Sequence, residues 1–105
     1  MTSNTQEILM NWFNSHERIK NEVPEAVPIG AANVAKVLDE IIPPDKRSNE
    51  LFLITLYNSD ISPLVCLDLS LKGEKEILQV ALGIVETYME RANEFIKLSE
   101  AQNSR

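Results

Sequence analysis

Residues 50–73, ELFLITLYNSDISPLVCLDLSLKG, decide the fold class because they hold two apolar runs on either side of a polar loop. The first run, 51–57, contains β-branched and aromatic side chains and is apolar at both alternating sets of positions. This favours a strand that is covered on both faces. In the second run, 64–71, apolar residues alternate with small or polar ones, which is typical of a half-buried strand. We therefore predict an antiparallel β-hairpin.

A helical alternative exists for the second run. Ser62 and Pro63 are residue types that favour the N-cap and the first position of a helix. In such a helix Leu64, Leu67 and Leu71 would share one face. Short apolar runs do not distinguish the two periodicities well. An all-α helical bundle therefore stays open as the alternative fold.

Three further segments carry apolar residues at helical spacing. They are 4–21, 30–42 and 74–102. Ser3-Asn4-Thr5-Gln6 has the pattern of a capping box at the start of the first segment. Pro24 and Pro43-Pro44 end the first two segments, because proline cannot continue a helix.

The elements follow the order α-α-β-β-α, so the predicted fold class is α+β. The polar residues 45–49 are expected to form a solvated loop before the hairpin. A length of 105 residues suits one domain, and we assign 1–105 to it, with frayed ends at 1–3 and 103–105.

The last predicted helix is long for so small a domain. Over about 28 residues it extends roughly 42 Å, whereas a compact domain of this size has a radius of gyration of about 13 Å. The helix should therefore overhang its own domain. A free hairpin edge and an uncovered apolar stripe would both be satisfied by a two-fold homodimer. The residues expected at its interface are Leu51, Leu53, Thr55, Tyr88 and Phe95.

Composition excludes several classes of function. The formal net charge of −6 repels phosphate backbones, so we expect no direct binding of nucleic acid. No window approaches the roughly 20 apolar residues of a membrane span, and the N-terminus lacks the pattern of a signal peptide. The single cysteine cannot form an internal disulfide. A cytoplasmic protein that does not bind membranes is the expectation.

No residue pattern indicates a catalytic, metal or cofactor site. His16, the only histidine, lies within the apolar stripe of the first helix, so we expect it to pack there. Cys66, His16 and Asp68 can be combined into a nucleophilic triad, but no glycine-rich elbow accompanies them. We therefore predict no catalytic residue, no metal ligand and no cofactor.

These observations favour a non-enzymatic interaction protein over an enzyme. We predict a small, acidic, cytoplasmic homodimer that binds an unidentified protein partner as a regulator, adaptor or inhibitor. The first alternative is a small-molecule-binding or catalytic domain with a pocket between the hairpin and the helices.

Glu86, Glu90 and Glu94 repeat every four residues, which is typical of a solvated helix face. They also leave a DNA-mimicking inhibitor as a weaker hypothesis.

The chain also resembles a known class of proteins in three general respects. In size, in acidity and in ending with strands followed by a long helix, it is similar to the dimeric chaperones of bacterial secretion that bind effectors. The resemblance implies an effector-binding function. It rests on no specific motif, and no functional residue is carried over from it.

Overall fold

Six α-helices make up the described part of this chain. The computed structural model describes the backbone of residues 4–103 and the side chains of residues 4–98, and this part of the chain contains no β-strand. The helices are α1 (Asn4–Asn14), α2 (Glu17–Glu22), α3 (Val27–Ile41), α4 (Asn49–Tyr57), α5 (Pro63–Ser70) and α6 (Glu74–Asn103). Short 3₁₀ turns, Pro24–Ala26 and Pro44–Lys46, precede α3 and α4.

The predicted hairpin over 50–73 is wrong, because its two runs form α4 and α5. A serine caps each helix. The hydroxyl of Ser48 accepts a hydrogen bond from the amide of Leu51 at 3.2 Å, and that of Ser62 accepts one from Val65 at 3.4 Å. Such caps satisfy amides that lack a partner inside the helix. The α+β class is thereby replaced by the all-helical alternative.

The two runs suggested strands because they are apolar on nearly every side. A helix enclosed by its neighbours needs no polar stripe, so its sequence shows no clear helical period. The buried side chains nevertheless follow helical spacing. They are Phe52, Thr55 and Leu56 in α4 and Cys66, Leu67 and Ser70 in α5. The strands that supported the resemblance to secretion chaperones are therefore missing from the described residues.

The first predicted helix, 4–21, is two helices in the structure. The backbone of His16 is extended, with φ −86° and ψ 116°, and separates α1 from α2. The hydroxyl of Ser15 donates to the carbonyl oxygen of Trp12, a local bond that competes with helix continuation. Ser3, which the predicted capping box requires, lies outside the described residues.

Helix α3 lies between α1 and α6 and also packs against α5. A β-carbon at Gly30 would lie 2.5 Å from Oγ of Ser70 and 2.6 Å from Cδ1 of Leu67, so glycine allows α3 to approach α5 this closely without displacing either side chain. Helix α6 packs against α3, α4 and α5. The core between these helices includes Trp12, Phe13, Val34, Leu38, Phe52, Leu56, Ala81 and Ile84.

A buried arginine occupies the segment that was predicted to be a solvated loop. Nη2 of Arg47 donates to Oγ1 of Thr5 at 2.6 Å, and that hydroxyl donates to Oδ1 of Asp39 at 2.7 Å. The guanidinium lies 4.7 Å from the ring centroid of Phe52, a distance typical of a cation–π contact. This one side chain therefore connects α1, α3 and α4.

Candidate interaction surface

Helix α6 carries two neighbouring apolar stripes whose members are three or four residues apart, except that Phe95 follows Tyr88 by seven. We call them the inner seam and the outer seam. The inner seam consists of Ile77, Ala81, Ile84, Tyr88 and Phe95. The outer seam consists of Leu78, Leu82, Val85, Met89, Ala92 and Ile96. Because successive residues turn by about 100° around a helix, the outer seam faces roughly 100° away from the inner one. A single neighbouring layer of helices cannot cover both.

The domain uses the middle of the inner seam for its own core. Ala81, Ile84 and Tyr88 are buried, and α3, α4 and α5 all contact α6. The phenolic oxygen of Tyr88 accepts a hydrogen bond from the amide of Ser48 at 3.0 Å, at the start of α4. This part of α6 is therefore fixed by apolar packing and by one polar contact.

Four of the six outer-seam side chains are exposed to solvent, and Val85 packs against the edge of the core. Leu78, Leu82, Met89 and Ile96 are 46, 50, 49 and 52% exposed, and the smaller Val85 and Ala92 are half-buried. Together these side chains form a patch of a few hundred Å², the scale of the largest apolar patches on soluble monomers, which are often functional. Their alternating spacing of four and three residues is the pattern of a coiled-coil seam.

The end of α6 extends past the helices that pack on it. The molecule measures 53 × 27 × 25 Å, and its long dimension accommodates the roughly 45 Å of a 30-residue helix. Phe95 and Leu98 near this end are 68 and 65% exposed. The overhang that the sequence predicts is therefore present, and it carries large apolar side chains.

A shallow groove between α3 and α6 borders the outer seam. It has a volume of about 380 Å³, with Val37 of α3 and Ile77 of α6 among its lining residues. Lys36, Glu40 and Glu74 are charged residues that also line it. The groove thus combines an apolar pair with a mixed-charge, mainly acidic rim.

A second, more polar cleft lies beside the connection between α4 and α5. Its volume is about 490 Å³, and Asp60, Glu90 and Glu94 line it. Nη2 of Arg91 donates to the carbonyl oxygen of Asn58 at 3.0 Å across this cleft. Among the described residues, no group of three or more acidic, histidine or cysteine side chains is arranged to hold a metal ion.

The five residues expected at an interface divide between the surface and the core. Thr55 and Tyr88 are buried inside the domain, whereas Leu53 and Phe95 are exposed and Leu51 is partly buried. The sequence predicts one apolar stripe along 74–102 and does not separate the two seams. The signal that could have separated them is the second series of four- and three-residue spacings.

The three candidate catalytic residues do not form a common site. Cys66 is buried, and burial raises the pKa of its thiol from the ordinary value of 9.0 to about 11. Asp68 lies two residues further along α5, on its exposed side, and forms an ion pair with Lys72 at 3.5 Å. The Nδ1 atom of His16 is buried and has no hydrogen-bond partner in the described part of the chain. The hairpin that would have lined a pocket is replaced by α4 and α5.

A comparison of this chain with models of known protein families, with curated proteins and with solved structures finds no match. Within residues 4–103, every helix is either too short or too polar to cross a membrane.

Proposed function

We propose that this chain is a cytoplasmic, non-enzymatic protein-interaction module that acts as a homodimer through the outer seam of α6. The observation that supports this function is the uninterrupted apolar spacing of the seam on a face where the domain leaves four of the six side chains about half exposed. A second copy of the chain offers a seam of the same spacing. Such self-complementarity is what a two-fold interface requires.

The size of the seam sets the expected strength of association. Two seams together remove several hundred Å² of apolar surface from water, which contributes on the order of 15 kcal/mol at about 25 cal/mol per Å². Loss of translational and rotational freedom costs roughly 4–15 kcal/mol. The difference is about 0–11 kcal/mol, and within it we take as the expected strength the roughly 8 kcal/mol of a micromolar dissociation constant.

The chemistry of the candidate residues favours this function over the catalytic alternative. A nucleophilic cysteine acts as a thiolate, and the raised pKa of Cys66 keeps its thiol protonated at neutral pH. The carboxylate of Asp68 points away from Cys66 and pairs with Lys72. Neither group is placed to activate the other.

Sedimentation equilibrium combined with light scattering tests the proposal. We compare the wild-type chain with Leu82→Lys in the outer seam and with Val65→Lys on α5, because both positions hold half-exposed apolar residues. The wild type should dimerise with a micromolar dissociation constant. Leu82→Lys should weaken the dimer at least about tenfold, because it places a charge in the apolar interface. Val65→Lys should change the dissociation constant less than about twofold.

Circular dichroism checks that both variants keep their helical content. A wild-type chain that stays monomeric up to millimolar concentration would contradict the homodimer. Equal weakening by both lysine substitutions would contradict the assignment of the interface to the outer seam.

A further inference from the structure

We infer that the two copies pair in antiparallel orientation, so that the overhanging end of each α6 covers the groove between α3 and α6 of the other copy. This inference rests on the proposed homodimer and adds to it the direction of pairing and the residues that each copy contributes. Three independent properties of the described residues favour it. They are the match of the outer seams, the charge distribution along the chain and the exposure of Phe95.

The outer seam matches itself when one copy is reversed about a two-fold axis near residue 87. Leu78 then faces the partner's Ile96, and Leu82 faces the partner's Ala92. Val85 faces the partner's Met89. With the symmetric contacts, this register gives six consecutive apolar layers and leaves no seam residue without an apolar neighbour. Large side chains meet smaller ones in the central layers, which allows close packing.

The charge distribution also favours reversal. Residues 1–90 contain seven Lys and Arg against fourteen Asp and Glu, a net charge of −7. Residues 91–98 contain two against one, a net charge of +1, and the remaining residues add no net charge to the total of −6. Antiparallel pairing brings the cationic end of one copy to the acidic body of the other. It also places the helix dipoles in the favourable opposite directions. Parallel pairing would place the two acidic bodies side by side.

Phe95 gains cover only in the antiparallel arrangement. It lies in line with the inner seam, beyond the helices of its own domain, and is 68% exposed. In the antiparallel register, Phe95 lies at the same level along the helix axis as residues 77–81 of the partner's α6. The groove lined by Val37 and Ile77 lies at that level. In a parallel pair the two overhanging ends would meet each other, and Phe95 would stay in solvent.

Chemical cross-linking distinguishes the two orientations. Gln79, Glu86 and Asn93 form the exposed flank of the outer seam that lies away from the inner seam. In an antiparallel pair the same flank of each helix faces the other, so Gln79 lies opposite the partner's Asn93. Two copies of Gln79 would be roughly 24 Å apart along the axis, and two copies of Asn93 roughly 18 Å. In a parallel pair these flanks point away from each other.

The experiment uses the full chain with Cys66→Ala and one new cysteine per protein. A mixture of Gln79→Cys and Asn93→Cys should be joined by a short bismaleimide at least about five times faster than either protein alone. Leu82→Cys alone should form an intermolecular disulfide slowly, because its counterpart is a few turns away. Light scattering of the same samples reports whether they are dimeric.

A dimer without preferential cross-linking in the mixture would overturn the antiparallel orientation and leave the homodimer intact. Rapid disulfide formation by Leu82→Cys alone would do the same and would indicate a parallel pair. Samples that contain no dimer would instead overturn the proposed function, and the orientation with it.

Two alanine substitutions test whether Phe95 packs into the partner's groove between α3 and α6. Phe95→Ala should weaken dimerisation by about tenfold, the effect of losing one aromatic anchor. Leu98→Ala is the matched control, because Leu98 is 65% exposed on the same overhang but points away from the outer seam. It should leave the dissociation constant within about twofold of the wild type. Equal effects of both truncations would overturn the assignment of Phe95 to the groove.

Discussion

At the scale of single residues, Arg47 is a buried side chain that connects three helices. Its side chain is 1% exposed, it donates to Thr5, and it stacks on Phe52. Arg47→Ala should lower the free energy of unfolding by about 2–4 kcal/mol, because Thr5 loses a hydrogen-bond donor, Asp39 loses its cation and Phe52 loses the cation–π contact.

Urea denaturation followed by the fluorescence of Trp12 measures the loss. Arg47→Lys is the matched variant. It should recover less than half of the stability, because an ammonium group cannot reproduce the planar contacts of a guanidinium. Full recovery by lysine would show that the charge alone matters.

Cys66 gives the stability of the domain a dependence on alkaline pH. Burial raises the pKa of the thiol from 9.0 to about 11, so the unfolded chain loses its proton at lower pH than the folded chain. The stabilisation is complete below pH 9 and is lost as pH rises through 11, on the order of 2 kcal/mol in total. The pKa of Tyr57 is raised in the same direction by burial.

Urea denaturation between pH 8 and pH 11 checks this dependence on the wild type and on Cys66→Ala. The substituted chain should keep only the weaker slope that Tyr57 contributes. A wild-type thiol that reacts rapidly with maleimide at pH 7, while the protein stays folded, would contradict the burial of Cys66.

At the scale of single helices, two glycines have opposite requirements. Position 83 lies on the solvent side of α6, and a β-carbon there would have no neighbour within 4 Å. Gly83→Ala should therefore stabilise the protein by about 1 kcal/mol, the difference in helix propensity. Gly30→Ala should destabilise it by about 1–3 kcal/mol, because the new methyl group would overlap Ser70 and Leu67.

Thermal and urea denaturation of the two alanine variants measure these changes against the wild type. The same substitution is expected to raise stability at one position and to lower it at the other. The two variants therefore separate the effect of helix propensity from that of packing between helices. Destabilisation by Gly83→Ala would indicate that this face of α6 is covered in the assembled protein.

The sequence predicts some of the helices better than others. α3 and α6 have one polar face, so their periodicity is visible, and α6 was predicted to within one residue at its end. α4 and α5 are apolar on almost every side, and only the caps Ser48 and Ser62 distinguish them from strands. The burial of Arg47 could not be predicted either, because its partner Thr5 lies 42 residues away.

At the scale of the whole molecule, the length of α6 predicts that part of its apolar surface needs a partner. The length does not predict which face of α6 that partner covers. A helix of this length must extend beyond a small domain, and the sequence alone predicts that. Which stripe of α6 the domain covers depends on where α3, α4 and α5 pack. Those positions are set by contacts distant in sequence, such as that between Tyr88 and Ser48.

The antiparallel dimer contains one unfavourable contact, which gives a further prediction. Glu86 lies on the exposed flank of the outer seam, near the two-fold axis, and therefore faces the partner's Glu86. Glu86→Gln should tighten dimerisation about two- to threefold, because it removes a like-charge contact worth a few tenths of a kcal/mol. Sedimentation equilibrium at low ionic strength measures the change, with Glu50→Gln on α4 as a control of equal charge. Weaker dimerisation of Glu86→Gln would argue against the flank-to-flank arrangement.

The elongated outline of the chain, 53 Å by 27 Å by 25 Å, affects how it moves through solution. A monomer of this form experiences more friction than a sphere of 11.9 kDa, and it should leave a sizing column ahead of globular standards of equal mass. In an antiparallel dimer, the helical domain of each copy packs beside the overhanging end of the other copy's α6. The frictional ratio in sedimentation velocity should therefore fall as the protein concentration rises, since the pair is rounder than either member.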